Sequence, residues 1–186
     1  MTGTEFEAAL FGLADGAPLF ILRPCSAGAS ELIASLSAAQ LIRLGIRCFE
    51  QVRVDLLRSN EGRFSAVVDL EHSEISVLAD AISASGEGKV GAAASFPRTT
   101  AWSAHARTLA EIVSIGENYY PERMKRCLVV NAPRIYPRLW ALMRPLLSES
   151  TRRKVSVLRQ QADLVSRVPR ASLPARLGGD CACAGD

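Results

Sequence analysis

Side chains able to do covalent chemistry are few in this 186-residue chain and stand at the wrong spacing for it. The two histidines, His72 and His105, form no paired metal-ligand pattern, and neither Ser65 nor Ser103 sits in the GxSxG elbow of a serine hydrolase. The five cysteines, at 25, 48, 127, 181 and 183, contain no CxxC pair, and Cys181-Ala182-Cys183 reads as a disordered tail. Gly86, Gly88, Lys89 and Gly91 hint at a phosphate loop, but they miss the GxxxxGK[ST] spacing and no strand directly precedes them. No catalytic residue, metal ion or cofactor is expected, and the chain is read as a non-enzymatic binding protein.

The chemistry that stands out is recognition, and it is concentrated in residues 118–158. A Pro-broken turn, a buried-strand signal, an aromatic and Met-bearing helix and a basic cluster follow one another there, as along one wall of a ligand cavity. Residues 122–159 carry ten lysines and arginines against Glu122 and Glu149, although the net charge of the whole chain is only +3. That surface favours an anionic partner. Nucleic acid is not expected, because the cluster lacks a recognisable module or stacking aromatics on an exposed strand.

Positioning these groups requires one domain with its own core, for which the length and the 48% apolar content suffice. A turn at Asp15-Gly16-Ala17-Pro18 precedes an apolar strand at 19–22 that Pro24 ends. Ser30 or Ser35 would cap a helix reaching Leu57, whose apolar stripe runs from Leu41 through Phe49 to Leu56. Strands follow at 64–70, 127–131 and 155–158, with a helix at 102–119 stopped by Pro121. The alternation predicts an α/β domain with a mixed, largely parallel sheet flanked by helices. Residues 83–100, rich in Ser, Gly and Ala, read as a flexible insertion. The amphipathic segment 135–147 carries Tyr136, Leu139, Trp140, Leu142, Met143, Leu146 and Leu147. Its spacing fits a helix packed on the sheet and equally a movable lid over an apolar pocket. The odd cysteine count and the absence of a leader before residue 20 argue against a secreted disulfide framework. No apolar run reaches the ~20 residues a bilayer span needs. A cytoplasmic protein with transient peripheral membrane association is expected.

Several ordered strings then resemble a known family. Tyr119-Tyr120-Pro121-Glu122-Arg123-Met124, Asn131-Ala132-Pro133, Trp140, Pro145-Leu146-Leu147, Thr151, Lys154 and Leu173-Pro174 through Leu177-Gly178-Gly179 resemble the C-terminal half of a CRAL-TRIO lipid-binding domain. Residues 16–23 resemble that family's first strand, 41–50 its helical segment and Val67-Val68-Asp69-Leu70 its central strand. The resemblance divides the chain into an N-terminal extension (1–14), a lipid-binding domain (15–180, including the 83–100 insertion) and a disordered tail (181–186).

The resemblance implies an apolar cavity holding one lipid, with 138–147 as its gate helix and the apolar side chains of 136–147 covering the acyl chains. It implies headgroup binding by Glu122, Thr151 and Lys154 with Arg123 beside them, the pattern of phosphatidylinositol-binding members. A cation and a hydroxyl suit a phosphate, and a carboxylate accepts from inositol hydroxyls. Arg134, Arg138 and Arg144 would hold the gate face to an anionic membrane surface at about 1 kcal/mol per well-placed cation. The function implied is binding and transfer of a phospholipid, with phosphatidylinositol foremost, or its presentation to lipid-modifying enzymes. The alternative is a protein-interaction or small-GTPase-regulatory scaffold of the same fold, with another hydrophobic ligand or none. Phe64 and Ala66 lack the hydroxyls of the family's choline-lipid contacts, which argues against phosphatidylcholine. The helical region that precedes the domain in the family has no counterpart in the short segment before the first strand.

Overall fold

Strands buried on both faces need continuous apolar runs, and three such runs form the centre of the sheet. The computed structural model describes residues 9–12, 17–23, 35–60, 62–71, 101–134 and 136–181. Within them β1 (Ala9–Gly12), β2 (Pro18–Leu22), β3 (Phe64–Asp69), β4 (Met124–Val130) and β5 (Val155–Val157) form one sheet in the order β1-β2-β3-β4-β5. β1 runs antiparallel to β2, and the other neighbours are parallel. The register sets Phe20 against Ala66, Ala66 against Cys127 and Cys127 against Val155. A mixed α/β fold with a largely parallel sheet is therefore observed.

The helices follow from stripes and caps. α1 (Ala38–Arg58) starts at Ser37, whose hydroxyl accepts from the Gln40 N–H while the Gln40 side chain accepts from the Ser37 N–H. This capping box overrides the expected start at Ser30 or Ser35, because Ser37 alone of the three has a glutamine three residues on. α2 (Ala101–Tyr119) packs against α1 at close range. A Cβ built on Gly45 would stand 2.8 Å from Ile112 Cγ2, and one on Gly116 would stand 2.8 Å from Phe49 Cζ. The two glycines let the helices approach where any larger side chain would push them apart. The parallel strands β4 and β5 are joined by α3 (Tyr136–Met143), a 3-10 turn (Arg144–Leu146) and α4 (Glu149–Lys154). α5 (Gln161–Val165) and two further 3-10 turns close the chain. Among the described residues no helix is long and apolar enough to cross a membrane.

The two faces of the sheet are sealed to different degrees. On one, Leu19, Ile21, Val67, Leu128 and Val130 meet Leu164, Val168, Leu173 and Leu177 from the C-terminal segment, and every member is 6% exposed or less. On the other, Ala66, Leu70, Cys127 and Val129 are buried, but Phe64, Val68, Met124, Tyr136 and Val155 packed around them are only partly so. At the C-terminal ends of the strands, the buried Asp69 accepts from the Asn131 amide at 2.8 Å and from the Glu71 N–H at 3.0 Å. Arg23 and Arg176 stand 3.7 and 4.0 Å from its other oxygen. The cluster joins the ends of β2, β3 and β4 to the C-terminal segment.

Several expectations need correction. The segment read as an N-terminal extension includes the edge strand β1 at Ala9–Gly12. The gate segment is not one helix over 138–147: Pro145 removes a helical donor and its ring clashes with the preceding turn, so the α-helix ends at Met143 and continues as 3-10. Residues 83–100, His72 and all of 181–186 except Cys181 lie outside the described residues, and His105 is described in backbone only. Cys48 and Cys127 are free, whereas Cys181 is disulfide-bonded, with its partner outside the described residues. The odd cysteine count did not reveal that bond. Ser65 is buried and its hydroxyl accepts from Arg126 Nε at 3.2 Å, as a structural group would.

Candidate functional site

The polar part of the site is built from one turn and one short helix. Pro121 ends α2, and the chain reverses through Glu122 at φ 56° before entering β4 at Met124. A non-glycine residue in this left-handed region is uncommon, and the surroundings hold it there. Tyr120 donates its hydroxyl to Glu50 Oε1 at 2.6 Å and packs its ring 5.0 Å from Phe49, and the Phe64 N–H donates to the Arg123 carbonyl at 2.9 Å. The turn is thereby tied to α1 on one side and β3 on the other.

α4 supplies the facing groups. Ser148 caps it, accepting from the Thr151 N–H at 3.1 Å. Lys154, in the last turn, donates to Glu122 Oε2 at 2.7 Å, and Ser150 donates to Glu122 Oε1 at 2.6 Å. Lys154 is largely shielded, its side chain 19% exposed, while that of Glu122 is 60% exposed. The Lys154 hydrogen bond, then that of Ser150, then the lysine charge hold the Glu122 carboxyl below the usual carboxylate range. The result is a fixed carboxylate–ammonium pair with one open side, able to offer an acceptor and a cation to a ligand that carries both hydroxyls and a phosphate.

Of the four predicted headgroup residues, Glu122 and Lys154 are thus in direct contact. Thr151 lies one turn before Lys154, and its hydroxyl accepts from Ser148 at 3.0 Å. Arg123 turns away, its Nη1 donating to the Gly62 carbonyl at 3.4 Å. Ser150 was missed, although its i,i+4 spacing from Lys154 places both on one helix face.

The apolar part lies over the incompletely sealed sheet face. Tyr136 packs against the cluster of Ala66, Cys127 and Val129 and stacks on Trp140 at 6.4 Å. Burial, with Cys127 adding to it, pushes the Tyr136 hydroxyl up to about 12, and burial pushes the Cys127 thiol up to about 11. Both stay neutral at physiological pH. Met143, Leu146 and Leu147 are partly buried, and the 3-10 turn carrying Leu146 touches α2. The side chains of Leu139 and Leu142 lie outside the described residues, as does that of Arg138. Arg134 and Arg144 are exposed. Phe64 meets Phe20 edge-on at 5.4 Å, and Ala66 is buried, so neither position offers a hydroxyl to this face.

Comparison with known proteins agrees with this architecture. Residues 97–179 match the CRAL/TRIO domain. The Sec14 cytosolic factor of Schizosaccharomyces pombe is 39% identical over 74 residues, covering 39% of this chain and 26% of that protein. The phosphatidylinositol/phosphatidylcholine transfer protein SFH11 of Arabidopsis thaliana is 40% identical over 81 residues, covering 42% and 22%. Protein real-time of Aedes aegypti is 26% identical over 180 residues, covering 90% and 24%. The chain thus spans about a quarter of the length of these relatives. The crystal structure of Sfh5 superposes with a TM-score of 0.52 at 15% identity, covering 88% of this chain and 50% of that one, which shows a shared fold.

Proposed function

We propose, from the match of residues 97–179 to the CRAL/TRIO domain, that the chain binds a single phospholipid, phosphatidylinositol foremost, and transfers it between membranes or presents it to lipid-modifying enzymes. The observation that carries this reading is the asymmetry of the sheet. One face is sealed by the protein's own side chains, and the other leaves Phe64, Val68, Met124, Tyr136 and Val155 half-covered among the described residues. A half-covered apolar face beside a fixed carboxylate–ammonium pair matches an amphiphile with acyl chains and a polyhydroxyl phosphate head. The similarity to a phosphatidylinositol/phosphatidylcholine transfer protein of Arabidopsis supports a phospholipid ligand.

Transfer follows from energetics. Burying acyl methylenes from water is worth about 0.8 kcal/mol each, so two long chains amount to on the order of 20 kcal/mol, which forbids release into water. Between a bilayer and an apolar cavity that term nearly cancels. Headgroup contacts and displacement of the gate segment 136–147, each a few kcal/mol, then set selectivity and direction. Glu122 and Lys154 read the head, Thr151 adds a hydroxyl beside them, and Tyr136, Leu139, Trp140, Leu142, Met143, Leu146 and Leu147 cover the chains. Arg134, Arg138 and Arg144 face the membrane during exchange. The absence of hydroxyls at Phe64 and Ala66 disfavours a choline lipid. No metal, cofactor or nucleic acid enters this reading.

The experiment is uptake of labelled phosphatidylinositol and labelled phosphatidylcholine from donor liposomes, followed by delivery to acceptors. Uptake and delivery of phosphatidylinositol in preference to phosphatidylcholine are expected. No uptake of either would leave the fold as an interaction scaffold.

A further inference from the structure

Three hydroxyls stand within four residues at Ser148, Ser150 and Thr151, and two of them are engaged by the helix itself. Ser148 caps α4 by accepting from the Thr151 N–H at 3.1 Å, and it donates to the Thr151 hydroxyl at 3.0 Å. Ser150 is exposed, and its hydroxyl has no part in the cap. It donates instead to Glu122 Oε1 at 2.6 Å, while Lys154 donates to the other oxygen of the same carboxylate at 2.7 Å. Ser150 and Lys154 are four residues apart on α4, the spacing at which helix side chains meet. One serine oxygen therefore sits beside both halves of the carboxylate–ammonium pair. Arg152, Arg153 and Lys154 form a run of cations on its C-terminal side.

We infer that Ser150 is a phosphorylation site, and that its phosphate switches the polar site off by taking Lys154 away from the ligand. In the transfer, Ser150 Oγ attacks the γ-phosphorus of a kinase-bound nucleoside triphosphate. The Oγ–P bond forms as the bond to the bridging oxygen breaks, the nucleoside diphosphate leaves, and the hydroxyl proton passes to the kinase's base. The cations at 152, 153 and 154 suit a kinase whose substrate groove is acidic. The product carries about two negative charges where a hydrogen-bond donor stood, 2.6 Å from a carboxylate oxygen. Repulsion replaces attraction there, so Glu122 leaves. Lys154 remains within reach of the phosphate from its position four residues on, and a charge-assisted bond joins the two. Arg63 attracts Glu122 through space, which gives the displaced carboxylate a second cation. The site then holds an anion of its own in the place of the headgroup phosphate. The switch rests on the headgroup reading of Glu122 and Lys154, whereas the phosphate–lysine contact does not.

The test installs phosphoserine at position 150 of the full chain during translation, with the same protein after phosphatase treatment as its control. Uptake of labelled phosphatidylinositol from liposomes should fall about 10- to 100-fold, since a charge-assisted bond to the headgroup is lost, and phosphatase should restore it. By phosphorus NMR the phosphate should titrate about one pH unit lower than in the same protein carrying Lys154→Ala, because the ammonium favours the dianion. In the chain purified from cells with phosphatase inhibitors present, tandem mass spectrometry should place a phosphate on Ser150. Undiminished uptake by the phosphorylated chain, a titration indifferent to Lys154, or a Ser150 without phosphate in cells each overturns the switch. If the unmodified chain takes up no phosphatidylinositol while the titration still depends on Lys154, the proposed exchange function falls and the phosphate–lysine contact stands.

Discussion

Replacing Lys154 by alanine removes the cation on which the headgroup reading depends. Its ammonium lies 2.7 Å from Glu122 Oε2 on a side chain only 19% exposed, so no flexible surface lysine can take its place from the same helix face. Arg152 and Arg153, the nearest cations in sequence, line a groove with Trp140, Arg144 and Glu149 and have no hydrogen bond to Glu122. A hydrogen bond from a charged donor is worth about 1.5–3 kcal/mol, so the equilibrium for phosphatidylinositol loading should fall roughly 10- to 100-fold in Lys154→Ala. The fold should be unaffected, because the partner carboxylate is exposed and solvent replaces the lost contact. Lys154→Arg keeps the charge with a different donor geometry and should recover part of the loss. The assay is competitive uptake from liposomes of graded phosphatidylinositol content, with thermal unfolding as the control for folding. Undiminished loading in a folded Lys154→Ala protein refutes the headgroup assignment.

Four further outcomes follow. The Glu122 carboxyl is held below the ordinary range in the fold, so its stabilising contribution is complete above the unfolded pKa of about 4.3 and disappears as pH falls through the lower folded value. The Tm difference between the parent and Glu122→Gln should therefore be constant above about pH 5.5 and shrink below it. A Cβ on Gly179 would lie 1.9 Å from the Leu173 carbonyl oxygen, so Gly179→Ala must displace the hydrogen bonds that close the C-terminal segment over Leu173 and Leu177. About 3 kcal/mol of destabilisation is expected in denaturant titration, from roughly two lost hydrogen bonds and looser apolar packing. Asp69→Asn leaves the partly buried Arg23 and Arg176 facing a neutral amide and should cost about 3 kcal/mol by the same measurement. Thiol labelling at pH 8 should modify Cys48 well before Cys127, a residue 9% exposed whose thiol is pushed up to about 11.

The centre of the fold was legible because buried parallel strands announce themselves as apolar runs, as at Leu19-Phe20-Ile21-Leu22 and Cys127-Leu128-Val129-Val130. β1 was not, because four residues of an edge strand, two of them Ala and Gly, carry little periodicity and gain their structure from pairing with β2. The start of α1 was readable in principle, since Ser37 and Gln40 form a capping box, but several serines competed for the position. Residues 136–147 show pattern overridden by backbone chemistry: the apolar stripe continues through Leu147, yet Pro145 ends the α-helix at Met143. In the polar site, Glu122 and Lys154 lie 32 residues apart and no local periodicity could pair them. The family resemblance did so, and it missed Ser150, whose hydroxyl takes the other Glu122 oxygen.

The central claim is that the half-covered sheet face holds one lipid, and native mass spectrometry of the protein purified from cells tests it directly. A stoichiometric phospholipid adduct, identified on release as phosphatidylinositol, is the predicted result. A bare chain that also takes up no lipid from liposomes would contradict the account.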